Sequence, residues 1–317
     1  MLHVLLLVAS AAAIYFSCEL FVNAVEHLGR LLKLGTLAVG TVLAAVGTAL
    51  PESVVTGVAV TQGHTGDIGI GAALGGPLAL ATLGYAVVGV TLLVRRKRLP
   101  SIDTARLGRD QRWFLLVFAA KIGLGLVAFS WKPWLGLLFF LGYAAYVVAE
   151  LRASGDDHGE ELEPLRLGGS ATPAMLPVLV QTLATLAVVF VASQVFVDQL
   201  SWAGPQLGLS AAVTALLLAP VATELPEVMN AIIWVRQGKS QLALSNISGS
   251  MMVQATVPSG LGILFTSWDL HGSLLLSAAA TAAAIVYLLV VLRRLSGTRL
   301  AAAGAFYLAF AVLLVLV

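Results

Sequence analysis

The sequence GTALPE at residues 47–52 returns as ATELPE at residues 222–227, and each copy interrupts a long apolar stretch near its middle. Proline has no N–H for a helical hydrogen bond, and its ring clashes with the carbonyl group four residues earlier. Pro51 and Pro226 therefore each free one carbonyl group from its helix. The repeated segment predicts two interrupted helices, each with a free carbonyl near a threonine hydroxyl and a glutamate carboxylate.

The composition around these segments is that of a membrane protein. Hydrophobic residues make up 59% of the 317 residues and charged residues 11%, whereas a soluble domain usually has about 25% charged residues. Backbone groups in lipid must form their hydrogen bonds internally, which leaves helices or closed barrels. The long Leu, Ala, Val and Gly runs lack the alternation of a barrel strand, so we predict an all-α polytopic membrane protein.

The chain contains ten apolar segments, and crossing the hydrocarbon takes about 20 apolar residues in a helix. The predicted transmembrane helices are 2–28, 36–61, 68–94, 113–129, 134–151, 173–198, 210–235, 242–265, 273–292 and 300–317. Two stretches between them are predicted to be loops, a basic one at 95–112 and an acidic one at 152–172. The first segment is interpreted as a helix rather than a cleaved signal peptide, because no Lys or Arg precedes it.

Basic residues are distributed unevenly between the two predicted membrane faces. If ten helices alternate in direction, 16 of the 18 Lys and Arg residues fall on the connections after the odd-numbered helices. The exceptions are Lys132, on the opposite face, and Lys121, inside the fourth helix. Basic connections stay in the cytoplasm, so we predict a multi-pass protein of the inner cell membrane with both termini outside the cytoplasm.

The repeat extends beyond the two proline segments. With the same offset, Phe21-Val22 aligns with Phe196-Val197, and Gln62-Gly63 aligns with Gln237-Gly238. The predicted units are a first five-helix repeat at 1–151, a cytoplasmic acidic linker at 152–172 and a second repeat at 173–317. Because five is an odd number of crossings, the second repeat is inverted in the membrane. Inverted repeats are typical of alternating-access transporters, whose substrate site lies between the repeats near the bilayer midplane.

Three carboxylates would lie at that depth, on Glu52, Glu224 and Glu227. A charge there costs at least about 2.5–3.5 kcal/mol. A structural interpretation, in which the prolines only kink the helices and a glutamate pairs with Lys121, leaves the other acids unexplained. Carboxylates, carbonyls and hydroxyls are the hard oxygen ligands that calcium prefers, and sodium also accepts carbonyl and hydroxyl oxygens. We therefore predict a cation site.

Proton coupling is an open alternative to sodium coupling. Glu224 and Glu227 are three residues apart and share one helix face. Two like charges about 5 Å apart repel by roughly 3 kcal/mol at an effective dielectric constant of 20, so we expect at least one acid to be protonated in the empty pocket. A divalent cation would displace that proton, as in a proton-coupled calcium or cation exchanger.

The duplicated Thr-x-Leu-Pro-Glu signature in ten helices with inverted symmetry resembles the cation/calcium exchanger superfamily, nearest its prokaryotic sodium/calcium exchangers. The resemblance covers most of the chain and is strongest at 40–84 and 213–262. It implies a secondary active antiporter that exchanges sodium for calcium by alternating access. The ions are then substrates, and no cofactor is expected.

The family adds a second half to each block, Gly-Asn-x-x-Gly-Ser-Asn, on the following helix. The second block keeps much of it, with Asn246, Ser250 and Gln254 spaced by four along one helix face. The equivalent positions of the first block have no polar side chain and are Ala72, Gly76 and Leu80. Helix 3 is therefore expected to be a packing surface that has lost side-chain ligands for a sodium-type position.

The predicted ion ligands combine the two signatures with the polar face of helix 8. They are Glu52, Glu227, Thr48, Thr223, Glu224, Ser250, Gln254 and Asn246, with carbonyl oxygens from Gly47 and Ala222. Glu224 departs from the family, which usually has a small hydroxyl residue there. The pocket is thus expected to be rich in acids on helix 7 and bare on helix 3.

Other function classes fit less well. An intramembrane hydrolase using Glu224 and Glu227 would need a nucleophile or metal ligands, and the sequence has neither a His pair nor Gly-x-Ser-x-Gly. A channel would be recognised by a sustained current far above exchanger turnover. We predict a monomeric transporter, not an enzyme, whose partners are Ca²⁺, Na⁺ or H⁺ and the lipid bilayer, without nucleic acid. Glu19 on helix 1 is either a gating or proton-relay residue, or a residue that pairs with a polar group or lies near the outer surface.

Overall fold

The computed structural model describes residues 2–49, 53, 66–153, 162–208 and 217–316, and within these ranges the chain forms helices and no strands. The helices are α1 (Leu2–Leu31), α2 (Thr36–Ala49), α3 (Gly66–Ala79), α4 (Tyr85–Val94), α5 (Thr104–Gly125), α6 (Gly136–Ala153), α7 (Met175–Gln206), α8 (Ala219–Thr223), α9 (Leu225–Gln237), α10 (Ser240–Phe265), α11 (Ser273–Val291), α12 (Gly297–Ala302) and α13 (Gly304–Leu316). A π-helical segment at Val39–Ala44 lies within α2, and another at Leu80–Gly84 joins α3 to α4.

Within the described ranges, six helical segments are long and apolar enough to cross a membrane. They are Leu2–Leu31, Ala73–Val94, Lys132–Ala153, Met175–Gln206, Ser273–Arg294 and Gly297–Leu316. The prediction of an all-helical membrane protein is therefore confirmed for the described residues. The count of ten transmembrane helices stays a prediction, because parts of the second and seventh predicted segments lie outside the described ranges.

The basic stretch 95–112, predicted to be a loop, is helical in its second half. Helix α5 begins at Thr104, because the side chain of Asp103 accepts a hydrogen bond from the backbone N–H of Arg106 at 2.9 Å and caps the helix. Arg106 is buried and pairs with Glu150 of α6 at 2.5 Å. Hydropathy counts such a side chain as solvent-exposed, so the sequence prediction started this helix nine residues too late.

The second proline segment interrupts its helix, as predicted. Helix α8 ends at Thr223 and α9 begins at Leu225, with Glu224 between them at φ −82° and ψ 2°. Pro226 is the second residue of α9, where its missing N–H breaks no helical hydrogen bond. In the first copy, Leu50, Pro51 and Glu52 lie outside the described residues.

Helix α10 is the central element, with most of its side chains buried and contacts to α2, α3, α5, α6 and α9. Several glycines allow close helix crossings in this region. A Cβ atom on Gly249 of α10 would lie 2.3 Å from the carbonyl oxygen of Thr41 and 2.8 Å from the Cβ of Ala45 in α2. A Cβ atom on Gly75 of α3 would lie 2.6 Å from a ring carbon of Pro220 in α8. Around this centre, α1 and α7 form the most extensive helix pair.

The described end of the acidic linker is attached to α1. Asn23 donates a hydrogen bond to the carbonyl of Pro164 at 3.2 Å and accepts one from the backbone N–H of Arg166 at 3.0 Å. The ring of His27 lies 2.9 Å from the carbonyl oxygen of Glu163, and Leu165 is fully buried. This part of the linker is thus docked, while the acidic residues at 156–161 lie outside the described ranges.

Candidate functional site

The break between α8 and α9 is joined to α10 by a buried pair of side chains. The amide nitrogen of Gln254 donates hydrogen bonds to both carboxylate oxygens of Glu224, at 2.7 Å and 2.8 Å. Glu224 is 1% exposed and Gln254 is 2% exposed. Two residues that the sequence predicts as ion ligands are therefore in direct contact inside the helical bundle.

Gly76 of α3 provides the space for this pair. A Cβ atom at position 76 would lie 2.5 Å from Oε1 of Glu224 and 2.8 Å from Oε1 of Gln254. The bare face of α3 is therefore more than a packing surface, because at Gly76 it borders the polar site. Leu80 is buried in the apolar core, and the side chain of Ala72 lies outside what the structure describes. Glu224, an acid where the family usually has a small hydroxyl residue, therefore lies directly against Gly76, where the side chain of the family pattern is missing.

Glu227 lies in the first turn of α9 and is fully buried. The N-terminal end of a helix carries a partial positive charge that favours a carboxylate. Helix α1 approaches this turn, since the thiol of Cys18 donates to the carbonyl of Pro226 at 3.7 Å. The carboxylate of Glu227 is thus placed at the helix break, one turn from Glu224.

Three neutral polar side chains continue this arrangement toward the turn that connects α9 to α10. Helices α9 and α10 are antiparallel neighbours, so counting equal numbers of residues from the turn puts Glu224 level with Gln254. Counted from Lys239, Glu227 and Ser250 are 12 and 11 residues away, and Asn230 and Asn246 are 9 and 7 residues away, so each pair lies at a similar level. We call these six residues the polar nest.

Within the described residues, Asn230, Asn246 and Ser250 lack hydrogen-bond partners for their side-chain polar atoms, and all three are fully buried. Buried polar groups are nearly always hydrogen-bonded, so such groups need an explanation. A bound cation would accept the amide and hydroxyl oxygens as ligands. Asn246 and Ser250 were predicted from the sequence, whereas Asn230 was missed, although it follows Glu227 by three residues on the same face.

The predicted threonine and carbonyl ligands lie on two helices, Thr48 and Gly47 on α2 and Thr223 and Ala222 on α8. Thr48 is buried in α2, and its hydroxyl donates to the carbonyl of Ala44 at 3.1 Å. Thr223 ends α8, and its hydroxyl donates to the carbonyl of Pro220 at 3.2 Å. Each hydroxyl oxygen keeps lone pairs for a cation.

Gly47 and Ala222, predicted as carbonyl ligands, are in α2 and α8. A Cβ atom on Gly47 would lie 3.1 Å from the ring of Phe21, and Ala222 is fully buried. Among the described residues no group of three or more His, Cys, Asp or Glu side chains could hold a metal ion. The third predicted acid, Glu52, lies outside the described residues, so the described part of the site contributes two acids and several neutral oxygens.

Lys121 does not neutralise a described acid. Its ammonium group is fully buried and donates to the carbonyl of Ala73 at 2.8 Å and to the hydroxyl of Ser259 at 3.1 Å. In the described part of the chain, no carboxylate lies within 4.0 Å of that nitrogen. Glu19 is exposed and accepts a hydrogen bond from Tyr15 at 2.8 Å. Both residues therefore lie outside the polar nest.

A second buried polar group, which we call the arginine cluster, consists of Arg106, Arg109, Glu150 and Thr41. Glu150 is fully buried and accepts hydrogen bonds from both arginines and from Thr41, the last at 3.3 Å. The cluster joins α2, α5 and α6. The carboxylate oxygens of Glu150 are hydrogen-bonded within the protein, whereas the amides of Asn230 and Asn246 have no partner among the described residues.

The chain is similar in sequence to known membrane proteins, including a sodium/calcium exchanger. The family described as sodium/calcium exchanger protein matches residues 2–152 and 177–317. The inner membrane protein YrbG of Escherichia coli K12 is 25% identical over 285 residues, which cover 84% of this chain and 80% of YrbG. The sodium/calcium exchanger MaX1 of Methanosarcina acetivorans is 30% identical over 144 residues, covering 45% of this chain and 39% of MaX1.

A solved structure has the same fold. The sodium-calcium exchanger NCX_Mj superposes with a TM-score of 0.76 at 20% sequence identity, covering 99% of this chain and 98% of that protein. The fold of the whole described chain is therefore that of a solved membrane exchanger.

Proposed function

This chain belongs to the sodium/calcium exchanger protein family, whose members are transporters rather than enzymes, and we propose that it is a secondary active antiporter that exchanges calcium for sodium. The ions would bind in the polar nest and cross by alternating access, with energy from an ion gradient. The proposed ligands are Glu52, Glu224, Glu227, Thr48, Thr223, Ser250, Gln254, Asn246, Asn230 and the carbonyl oxygens of Gly47 and Ala222.

The observation that carries this proposal is the set of buried oxygens without hydrogen-bond partners. The amides of Asn230 and Asn246 and the hydroxyl of Ser250 lack partners among the described residues, next to two buried carboxylates. Leaving such groups unsatisfied costs about 1–3 kcal/mol each. A passing cation would satisfy the oxygen atoms of these groups, and an ion bound by neutral oxygens and two acids fits the ligand preference of calcium.

Two equivalent helix crossings support the proposal of inverted repeats. Gly75 meets Pro220, and its repeat counterpart Gly249 meets Ala45, which aligns with Pro220. A twofold relation between the repeats would produce this exchange of partners. The site would then lie between repeats at 1–151 and 173–317, as expected for alternating access.

Proton coupling is the second candidate, and it is favoured by one observation. Glu224 and Glu227 lie one turn apart and are both buried, and Gly76 offers no side-chain ligand at the same place. Two adjacent carboxylates in a medium of low polarity favour retention of a proton until a divalent cation replaces it. Calcium entry would then release a proton.

The test is radioactive calcium uptake into proteoliposomes that contain the purified protein. Uptake is measured with an outward sodium gradient, with an outward proton gradient in sodium-free buffer, and with neither. We expect calcium uptake to require the sodium gradient. Uptake driven by protons alone would establish the second candidate, and uptake without either gradient would contradict antiport.

The site is tested with Glu227→Gln and Glu52→Gln, each expected to reduce sodium-driven calcium uptake more than about 100-fold, because a lost charged ligand costs roughly 3 kcal/mol or more. Asp198→Asn is the matched control, since this acid of α7 is exposed. If both site variants transport at the control rate, the site assignment is wrong.

A further inference from the structure

Lys121 is the one buried cation beside the polar nest among the described residues. Its ammonium nitrogen lies 2.8 Å from the carbonyl oxygen of Ala73, 3.1 Å from the hydroxyl oxygen of Ser259 and 4.9 Å from the ring centre of Phe118. The side chain starts on α5 and ends between α3 and α10, the two helices that border Glu224. Nothing in the proposed exchange mechanism uses this lysine.

Both of its contacts lead to carbonyl groups that a proline has freed. Pro77 follows Ala73 by four residues and has no N–H to donate to that carbonyl. Pro258 likewise follows Gln254 by four residues, and the hydroxyl of Ser259 donates to the carbonyl of Gln254 at 3.1 Å. Lys121 therefore occupies the kind of place that the two signatures provide for ions, namely a freed carbonyl next to a hydroxyl.

The ammonium group also lies close to the proposed ion site. Ala73 precedes Gly76 by three residues, and Gly76 borders the carboxylate of Glu224. On the other side, Ser259 is bonded to Gln254, whose amide holds the same carboxylate. Along either helix the positive charge is about one turn from Glu224.

We propose that the ammonium group of Lys121 is a tethered cation, which permanently occupies a monovalent-cation position next to the exchange site. The inference rests on the proposed function and adds a residue that sets the number of sodium ions exchanged for each calcium. A transported sodium ion would otherwise be expected to neutralise the acid-rich side of the nest at this position. With Lys121 in place, that position does not take part in exchange.

Binding is tested by thermal unfolding of the purified protein in NaCl against choline chloride at equal ionic strength. Lys121→Ala leaves room beside the carbonyl of Ala73 and the hydroxyl of Ser259, so sodium should raise its midpoint about 3 °C more than that of the wild type, at roughly ten times the dissociation constant. Lys121→Met fills the room with an uncharged chain and should show no such added rise.

Lys132 gives a matched control. It is also buried and donates to two carbonyl groups, of Val127 at 2.8 Å and of Trp268 at 3.1 Å, but it is paired with Asp269 at 3.3 Å. Lys132→Ala should lose stability without any added response to sodium. An equal sodium response in the Lys121→Ala and Lys132→Ala variants would overturn the proposal.

Coupling is tested by the sodium gradient at which net calcium flux reverses in proteoliposomes. Lys121→Ala should exchange one more sodium ion per calcium than the wild type, whereas Lys121→Met should keep the wild-type ratio. An unchanged ratio in Lys121→Ala, together with a wild-type sodium response in unfolding, would show that Lys121 only holds helices together.

Two further outcomes are informative. If Lys121→Ala and the smaller change Lys121→Ser both fail to fold even in high sodium, sodium cannot replace the ammonium group and the proposal is wrong. If the wild type shows no sodium-driven calcium uptake, the proposed function fails, but the sodium response of Lys121→Ala in unfolding still tests the tethered cation by itself.

Discussion

The polar nest and the arginine cluster are both buried and both contain carboxylates, but they differ in how their polar atoms are satisfied. In the arginine cluster, Glu150 accepts hydrogen bonds from Arg106, Arg109 and Thr41. In the polar nest, Asn230 and Asn246 have no partner for either amide atom within the described residues. Burial of charge alone therefore does not identify a binding site; what supports one here is a group of unpartnered oxygens next to two buried carboxylates.

The difference also separates two kinds of energetic role. A buried ion pair holds helices in register, and removing one partner leaves an uncompensated charge. A set of buried oxygens without partners destabilises the empty protein, and a bound ligand recovers that free energy. Substitutions in the arginine cluster should change stability, and those in the polar nest should change ion affinity.

The largest expected effect is on stability, from Arg106→Met. This change removes the two guanidinium nitrogens that donate to Oε2 of Glu150 and should lower the free energy of unfolding by about 3 kcal/mol. The measurement is thermal or denaturant unfolding in detergent, with calcium affinity measured on the folded fraction. Arg112→Met, an exposed arginine on the same helix, is the control and should change stability little. A tenfold loss of calcium affinity in folded Arg106→Met would remove the distinction between the two clusters.

A smaller effect, on affinity, is expected from Asn246→Leu. The apparent calcium affinity should fall roughly tenfold, or about 1.4 kcal/mol, because a ligand oxygen is lost. Stability without calcium should not decrease, since the amide has no partner to lose among the described residues. Affinity is measured by calcium titration of the purified protein.

Asn23→Leu provides the comparison for that variant. The Asn23 side chain bonds the linker and also accepts from Gln181 at 3.1 Å. Its replacement should lower stability and leave calcium affinity unchanged. The opposite pattern, in which Asn246→Leu loses stability and Asn23→Leu loses calcium affinity, would show that the amides of the polar nest stabilise the fold instead of binding the ion.

The smallest effect is expected from Gly76→Ala. The new methyl group would press on the side-chain ends of Glu224 and Gln254 and should weaken calcium affinity about threefold, or roughly 0.7 kcal/mol. Gly71→Ala, on the same helix and with no heavy atom within 4 Å of the new Cβ, is the control. Equal affinities of the two variants would mean that Gly76 does not shape the ion site.

Much of the site could be predicted from the sequence because its signals are local. Pro226 marks the helix break by its own chemistry, and the spacing of Asn246, Ser250 and Gln254 places them on one face of a helix. Asn230 satisfied the same spacing rule after Glu227, but an asparagine lies outside the signature and was not counted. The roles proposed for these residues stay predictions until ion binding is measured.

Other features depend on which helices meet. The start of α5 at Thr104 was missed, because the pairing of Arg106 with Glu150 joins residues 44 positions apart. The space that Gly76 leaves for Glu224 and the two contacts of Lys121 likewise join distant parts of the chain. Residue type and spacing could not show that a charged side chain would find its partner in another helix.

The sequence by itself determined that this chain is helical and lies in a membrane, and that the helix with the second copy of the repeated proline signature breaks there, beside two acids. Only the tertiary structure decided which buried polar groups are paired and which have no partner among the described residues. The physical reason is that helix formation and interruption depend on neighbouring residues, whereas the satisfaction of a buried polar atom depends on the helix packed against it.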